Sequence, residues 1–367
     1  MHFRKFHVLL GIVVIAACTE FIAPSIGIRN DVEAQSTPSS EVAIPIEIER
    51  LDPMLDRLIP PSSVTFRIVS GLKWTEGPLW LPSEKLMFAE IPSNSIRIWS
   101  RDSGISIFMQ PSGYKGSAPY GGPEPGSNGM TLDAAGRLTV AGHAQRDVWR
   151  LERIAPNAPI TVLADMYQGK RLNSPNDLVY RSDGSLYFTD PPYGLPTQSD
   201  KDFAKELQVN GIYRIPGAFE QKPGTTPNRS QLQLLVKDLP RPNGIAFSPD
   251  EKYLYADNSE PEMFWVRYKV KPDGSLIIGK RFGDAGIYAH RGAPDGMKVD
   301  QHGNIYSAGP GGVWIFSPGL KHLGTIKLGI VGNLAWGDLD HKTLYITAGP
   351  NIYSIRLEVP GAGYRIR

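Results

Sequence analysis

Short apolar runs, each introduced by a polar residue and followed by a turn and a second apolar run, recur along the 367-residue chain. The fullest copy is Ser174-Pro175-Asn176-Asp177-Leu178, then Asp183-Gly184, then Leu186-Tyr187-Phe188-Thr189-Asp190. It reads as strand, tight turn, strand. Ser127-Asn128-Gly129-Met130 leads in the same way to Asp133, Gly136 and 138–140, and Pro242-Asn243-Gly244-Ile245 to Pro249-Asp250 and 253–255. Pro294-Asp295-Gly296-Met297 leads to Asp300, Gly303 and 305–306, and Thr75-Glu76-Gly77-Pro78 to Pro82-Ser83 and 86–88. Ten residues after Glu76, Asn128, Asn176, Asn243 and Asp295 stand Leu86, Leu138, Leu186, Tyr253 and Ile305. A sixth, looser copy begins at Asn333 and reaches Leu344 one residue late. The leading positions lie 52, 48, 67, 52 and 38 residues apart, which is blade-length spacing. Six such units predict an all-β, six-bladed β-propeller. Sustained helical periodicity is lacking; the spacing in 195–209 allows a single helical turn.

Outside the repeats, 64–69 reads as a strand placed to pair with 351–357 and close the ring, which removes exposed strand edges. The segment 111–126 is a long Gly/Pro/Ser-rich loop, and loops of that length in a compact domain are usually functional. The organisation expected is a signal peptide over 1–34, a polar leader over 35–60 and one propeller domain over 61–367. Arg4 and Lys5 ahead of an apolar run at 8–17 form a secretory layout, and that run is too short for a membrane span. Cleavage after Ala34 is one processing route; Ile15-Ala16-Ala17-Cys18 resembles a lipobox and offers another. Cys18 is the one cysteine, so the mature domain holds no disulfide either way. The expected location is periplasmic or secreted. A formal net charge of +2 leaves no electrostatic footprint for nucleic acid.

The chemistry lies in the leading residues. Glu76, Asn128, Asn176, Asn243, Asp295 and Asn333 all carry a side-chain oxygen. In a propeller, equivalent positions of the innermost strands converge on the central channel. Residues far apart in sequence would then form one ring of oxygens, the ligand type that hard cations such as calcium take. Asn-Gly and Asp-Gly also serve as turn formers, which accounts for a copy or two but not for Glu76 in the same slot. Asp177 follows a ring residue in an alternating strand and is expected to face away into its blade, bonding backbone amides; for Asp190 a structural role is expected. The seven Trp residues fall at strand positions and are read as packing between blades. Gly-x-Ser-x-Gly, His-Glu-x-x-His and phosphate-loop motifs are absent.

The motifs Glu76-Gly77-Pro78, Leu172-Asn173-Ser174-Pro175-Asn176-Asp177, Phe188-Thr189-Asp190-Pro191-Pro192-Tyr193-Gly194, Pro242-Asn243-Gly244 and Pro294-Asp295-Gly296-Met297, in this order, resemble the gluconolactonase/regucalcin family, on its bacterial gluconolactonase-like side. The resemblance runs from about Leu51 to Ile355. It implies a six-bladed propeller with calcium (Ca2+) or another divalent cation in the channel, held by Glu76, Asn176, Asn243 and Asp295. It makes Asn128 and Asn333 pocket lining, with Asn128 placed to bind substrate. In regucalcin-type members an Arg two residues before the third-blade Asn binds substrate; Ser174 stands there in this chain, so that contact does not transfer. The activity implied is hydrolysis of a sugar lactone of the glucono-1,5-lactone type to its aldonic acid. The cation would polarise the carbonyl, and Asp295 would act as base. His143, after a blade-two strand, is a competing base and a substrate-binding candidate. His290 is a candidate for the channel entrance. Organophosphate hydrolysis on the same ion and a non-catalytic binding propeller are the alternatives.

Overall fold

The computed structural model describes residues 41–286 and 291–363. The candidate signal peptide, Cys18 and His290 lie outside these residues. The described chain is all β apart from four short 3-10 turns. Thr75–Leu81, Lys85–Glu90, Ser95–Ser100 and Gly104–Met109 form the first blade as an up-and-down antiparallel sheet. The second runs from Met130–Leu132 to Ile160–Ala164, the third from Leu178–Tyr180 to Gln233–Val236, and the fourth from Pro242–Phe247 to Leu276–Asp284. The fifth runs from Met297–Val299 to His322–Lys327, and the sixth opens with Asn333–Gly337. The first strand of each sheet touches the first strand of the next all the way round, so these six strands are innermost. The segment 195–209 forms turns and bends rather than a helix. Its Pro196 and its polar positions leave no apolar face for a helix to bury.

Six apolar clusters fill the wedges between consecutive blades, one per wedge. They draw on the apolar positions the repeat predicts: Leu86, Leu138, Leu186 and Ile305 are fully buried. The tryptophans join blades as expected. Trp80 stacks on Tyr345 at 5.0 Å between the first and sixth, and Trp265 on Trp314 at 5.2 Å between the fourth and fifth.

Closure occurs where the alternation places it. Thr65–Val69 runs antiparallel to Asn351–Arg356, with Phe66 opposite Ser354. The stretch read as a leader is also built in. Val42–Ile44 adds to the edge of Thr65–Val69, and Ile48–Arg50 adds to His322–Lys327 of the fifth blade. The 3-10 turn Pro53–Arg57 then inserts Leu55, fully buried, into the wedge between the fifth and sixth blades.

Candidate active site

The six leading residues stand at one end of the channel, each within or up to two positions ahead of its innermost strand. Pairing is irregular there: register shifts between Glu76 and Leu79 and between Pro242 and Ile245. Such irregularities re-aim side chains that strict alternation would send to the other face. The glycines after the leading residues are required by close approach. A Cβ on Gly129 would lie 2.5 Å from Asn176 O, and one on Gly244 2.2 Å from Asp295 O. Gly129 N–H donates to Asn176 O at 2.8 Å, which links second blade to third. The Asn-Gly pairs thus let each blade's ring residue rest against the next, rather than make the turn.

The amide side chains meet directly. Asn128 Nδ2 donates to Asn176 Oδ1 at 2.7 Å, and Asn176 Nδ2 donates to Asn243 Oδ1. Asn243 Nδ2 donates to Ser259 Oγ at 3.1 Å, and Ser259 donates to Pro294 O at 2.9 Å. Asn128, Asn176 and Asn243 are all buried. Glu76 and Asp295 complete the ring. Each accepts the next glycine's amide, Gly77 N–H on Glu76 Oε2 and Gly296 N–H on Asp295 Oδ1, both at 3.1 Å. Glu76 is 3% exposed. Loss of hydration, reinforced by Asp177 and Glu124, pushes its carboxyl up to about 8. Asp295, half-buried, is raised well above the usual range by loss of hydration and then by Glu76, Asp257 and Asp177.

This arrangement fits a hard divalent cation. Carboxylates crowd at the ring, and Asp177 Oδ2 and Asp257 Oδ2 are buried without a hydrogen-bond partner. A dication offsets that charge. No three His, Cys, Asp or Glu side chains converge as a metal set among the described residues. The donors on offer are two ring carboxylates and amide oxygens, a set suited to calcium rather than to zinc.

Four placements refine the sequence reading. Asp177 does bond a backbone amide, its Oδ1 accepting Leu178 N–H at 2.8 Å, but it does not face away into its blade: Oδ2 points toward Lys298 Nζ at 3.8 Å. Asn176 and Asp177 both precede the strand Leu178–Tyr180, so period-two alternation does not apply to them. Asp190 has a structural role, accepting Asn173 N–H and Ser174 N–H, each at 2.8 Å. Burial pushes its carboxyl up to about 7. Asn333 Oδ1 accepts from Leu334 N at 2.8 Å and from Lys298 Nζ at 3.2 Å, and its side chain lies against Gly296 and beside Glu76. His143 is fully buried rather than on the channel rim. Its Nε2 lies 2.7 Å from Glu124 Oε2 and its Nδ1 3.3 Å from Pro175 O.

Sequence reasoning missed Asp257, Lys298 and Glu124. Asp257 accepts Gly244 N–H at 3.1 Å and stands fourteen positions after Asn243, as Asp190 does after Asn176; that shared spacing was a readable signal. Lys298 follows Asp295 on the fifth innermost strand, where nothing but position marks it. Glu124 lies in the long loop and carries no periodicity at all. Beyond the ring, the channel widens into a cavity of about 540 Å3 lined by Met130, Leu178, Ile245, Lys298, Val299 and Trp336 among others. It contains none of the ring residues.

Comparison with known proteins gives a consistent picture. The family model described as "SMP-30/Gluconolactonase/LRE-like region" matches residues 74–349. A gluconolactonase from Zymomonas mobilis is 37% identical over 330 residues, covering 86% of this chain and 87% of that protein. The structure of a gluconolactonase from Xanthomonas campestris superposes with a TM-score of 0.72 at 28% identity, covering 88% of this chain and 99% of the other. A calcium-binding regucalcin from Agrobacterium tumefaciens shares the fold at a TM-score of 0.56 and 16% identity, covering 80% and 92%.

Proposed function

Because this chain belongs to the SMP-30/gluconolactonase/LRE-like family, we propose that it is a metal-dependent lactone hydrolase opening a sugar lactone of the glucono-1,5-lactone type to its aldonic acid. The observation that carries the reading is the meeting of Glu76, Asn176, Asn243 and Asp295, from four blades, at one end of the channel. These four residues would hold a divalent cation, calcium by the hardness of its donors. Such an ion, when bound, supplies a Lewis acid that polarises the lactone carbonyl.

The chain's own groups do the rest. Asn128 adjoins Asn176 and presents an amide able to orient a sugar hydroxyl. The glycines of the innermost strands keep the ring's backbone in contact from blade to blade, so the oxygens are held before substrate arrives. Asp295 is the half-buried member of the pair. A carboxylate bound to a dication is a weakened base, because the ion stabilises its charged form. The proton of the attacking water therefore calls for an acceptor outside the ring. The secretory layout of the N-terminus supports an exported enzyme, periplasmic or secreted, which cell fractionation tests directly.

The decisive assay is hydrolysis of glucono-1,5-lactone by the purified protein with and without EDTA, followed by calcium. Activity should vanish with the chelator and return with the ion. Glu76→Gln should lose calcium binding and at least about 100-fold in kcat together, since the metal supplies both carbonyl polarisation and charge stabilisation. Activity indifferent to EDTA, or absent in every condition, would sink the proposal.

A further inference from the structure

His143 has no exposed surface to offer a substrate. Its imidazole is clamped between the Glu124 carboxylate and the Pro175 carbonyl, with Gly194 packed against the ring: a Cβ there would lie 2.8 Å from His143 Cδ2. Glu124 is the partner with access, its side chain 22% exposed. Through His143 it is tied to Pro175, the residue before the ring's Asn176, which places it beside the ring without belonging to it. The loop that carries it is stapled on either side: Tyr114 N–H donates to Pro125 O at 2.7 Å, Gly126 N–H to Ile91 O at 3.0 Å, and Ser127 N–H to Ser112 Oγ at 3.1 Å. Tyr120 O–H donates to Gly194 O, tying the same loop to the segment that covers His143. A glutamate at large in a 16-residue loop would sample many rotamers. Here the loop is fixed to its blades and the carboxylate to a buried ring.

We propose that Glu124 is the proton acceptor of the lactone hydrolysis and that His143 positions it. This rests on the lactone-hydrolase reading above. The water oxygen bonds to the lactone carbonyl carbon while Glu124 takes one of the water's protons. The adduct then breaks its bond from that carbon to the ring oxygen, and Glu124 returns the proton to that oxygen as it leaves as a hydroxyl. Lactone and water become one hydroxy acid, and Glu124 ends as it began. A base outside the metal shell leaves the ring carboxylates free to hold the ion. His143 fixes the position of this carboxylate, and position decides the efficiency of a base.

The test compares wild type, Glu124→Ala, Glu124→Gln and His143→Gln on glucono-1,5-lactone at saturating calcium chloride. Calcium affinity by calorimetry and Tm are measured on each. Loss of a general base predicts a fall in kcat of about 100-fold or more for both Glu124 variants. KM and calcium affinity should stay within about twofold, because the metal ligands are untouched. Sodium formate, a small carboxylate that fits the space left by Glu124→Ala, should restore part of that variant's rate in proportion to its concentration. It should not restore Glu124→Gln, whose amide fills the same space. His143→Gln should lower kcat by about tenfold, as loss of an orienting partner does elsewhere, without response to formate. Glu124→Gln keeps the shape of the side chain, so a poorly folding alanine variant leaves the question decidable. An active wild type with Glu124→Ala within about threefold of it in kcat overturns the assignment of the base alone. So does a folded, calcium-binding Glu124→Ala that formate cannot revive. A wild type without lactonase activity overturns the lactonase reading and this one with it.

Discussion

Glu76 shows how burial and neighbours set the behaviour of one carboxyl. Its folded-state value, about 8, stands above the ordinary 4.5. The folded protein therefore holds that proton more tightly than the unfolded chain does. The resulting stability is complete below the unfolded value and is lost as pH rises through the folded one. Metal-free protein in EDTA should thus show a falling Tm between about pH 5 and pH 8, with Asp295 adding in the same sense. Calcium should flatten that slope, because the ion favours the charged form; thermal melts across the range check both. At this scale much was legible. Register alone marked Glu76, Asn128, Asn176, Asn243 and Asp295, since a side-chain oxygen at a fixed offset from an apolar strand needs no tertiary information. Asp177 was misread because alternation was extended beyond the strand. His143 was legible as a residue of interest but not in its role, which depends on Glu124 from a loop without pattern.

At the level of elements, the innermost strands do two jobs: they pack the hub and they deliver the ring. The glycine after Glu76, Asn128, Asn243 and Asp295 serves the first so that the second is possible. Gly244→Ala would put a methyl 2.2 Å from Asp295 O. Overpacking of this kind costs about 1–3 kcal/mol, which for a domain of this size lowers Tm by about 2–4 °C. Because the atom displaced belongs to Asp295's own peptide, calcium affinity should fall as well. A variant with unchanged Tm and unchanged calcium binding would contradict the close-approach account. Asp190 plays a parallel part in the third blade, holding the 173–174 amides so that Asn176 enters the ring at the right height. Strands were easy to find because side chains alternate between a packed face and its opposite. The 111–126 loop was visible only as an interruption, since its shape comes from contacts with Ile91 and Gly194.

For the whole molecule, the six wedges of apolar packing form a closed series, and the segment before the closing strand is part of it. Leu55, Leu58 and Ile59 are buried in the wedge between the fifth and sixth blades. A chain beginning at residue 61 keeps four strands in every blade yet loses these three side chains and both outer strands. At about 1.5–3 kcal/mol for each buried side chain, it should be less stable by about 5 kcal/mol than a chain beginning at residue 36. Urea unfolding of the two would show it; equal midpoints would mean that 41–60 is ornamental.

The seam between Thr65–Val69 and Asn351–Arg356 has a consequence in time as well as space. Thr75, beside Glu76, bonds to Gly349, 274 positions away. A ribosome or an export channel delivers the first of these long before the second. Until the last blade emerges, Thr65–Val69 has only Val42–Ile44 beside it, and the ring stands open between its first and sixth blades. The carboxylates arrive earlier, but their crowding is fixed in place only at the final step of assembly, when the sixth blade shuts the circle. Such a chain learns whether it is whole and whether it needs its ion at the same moment.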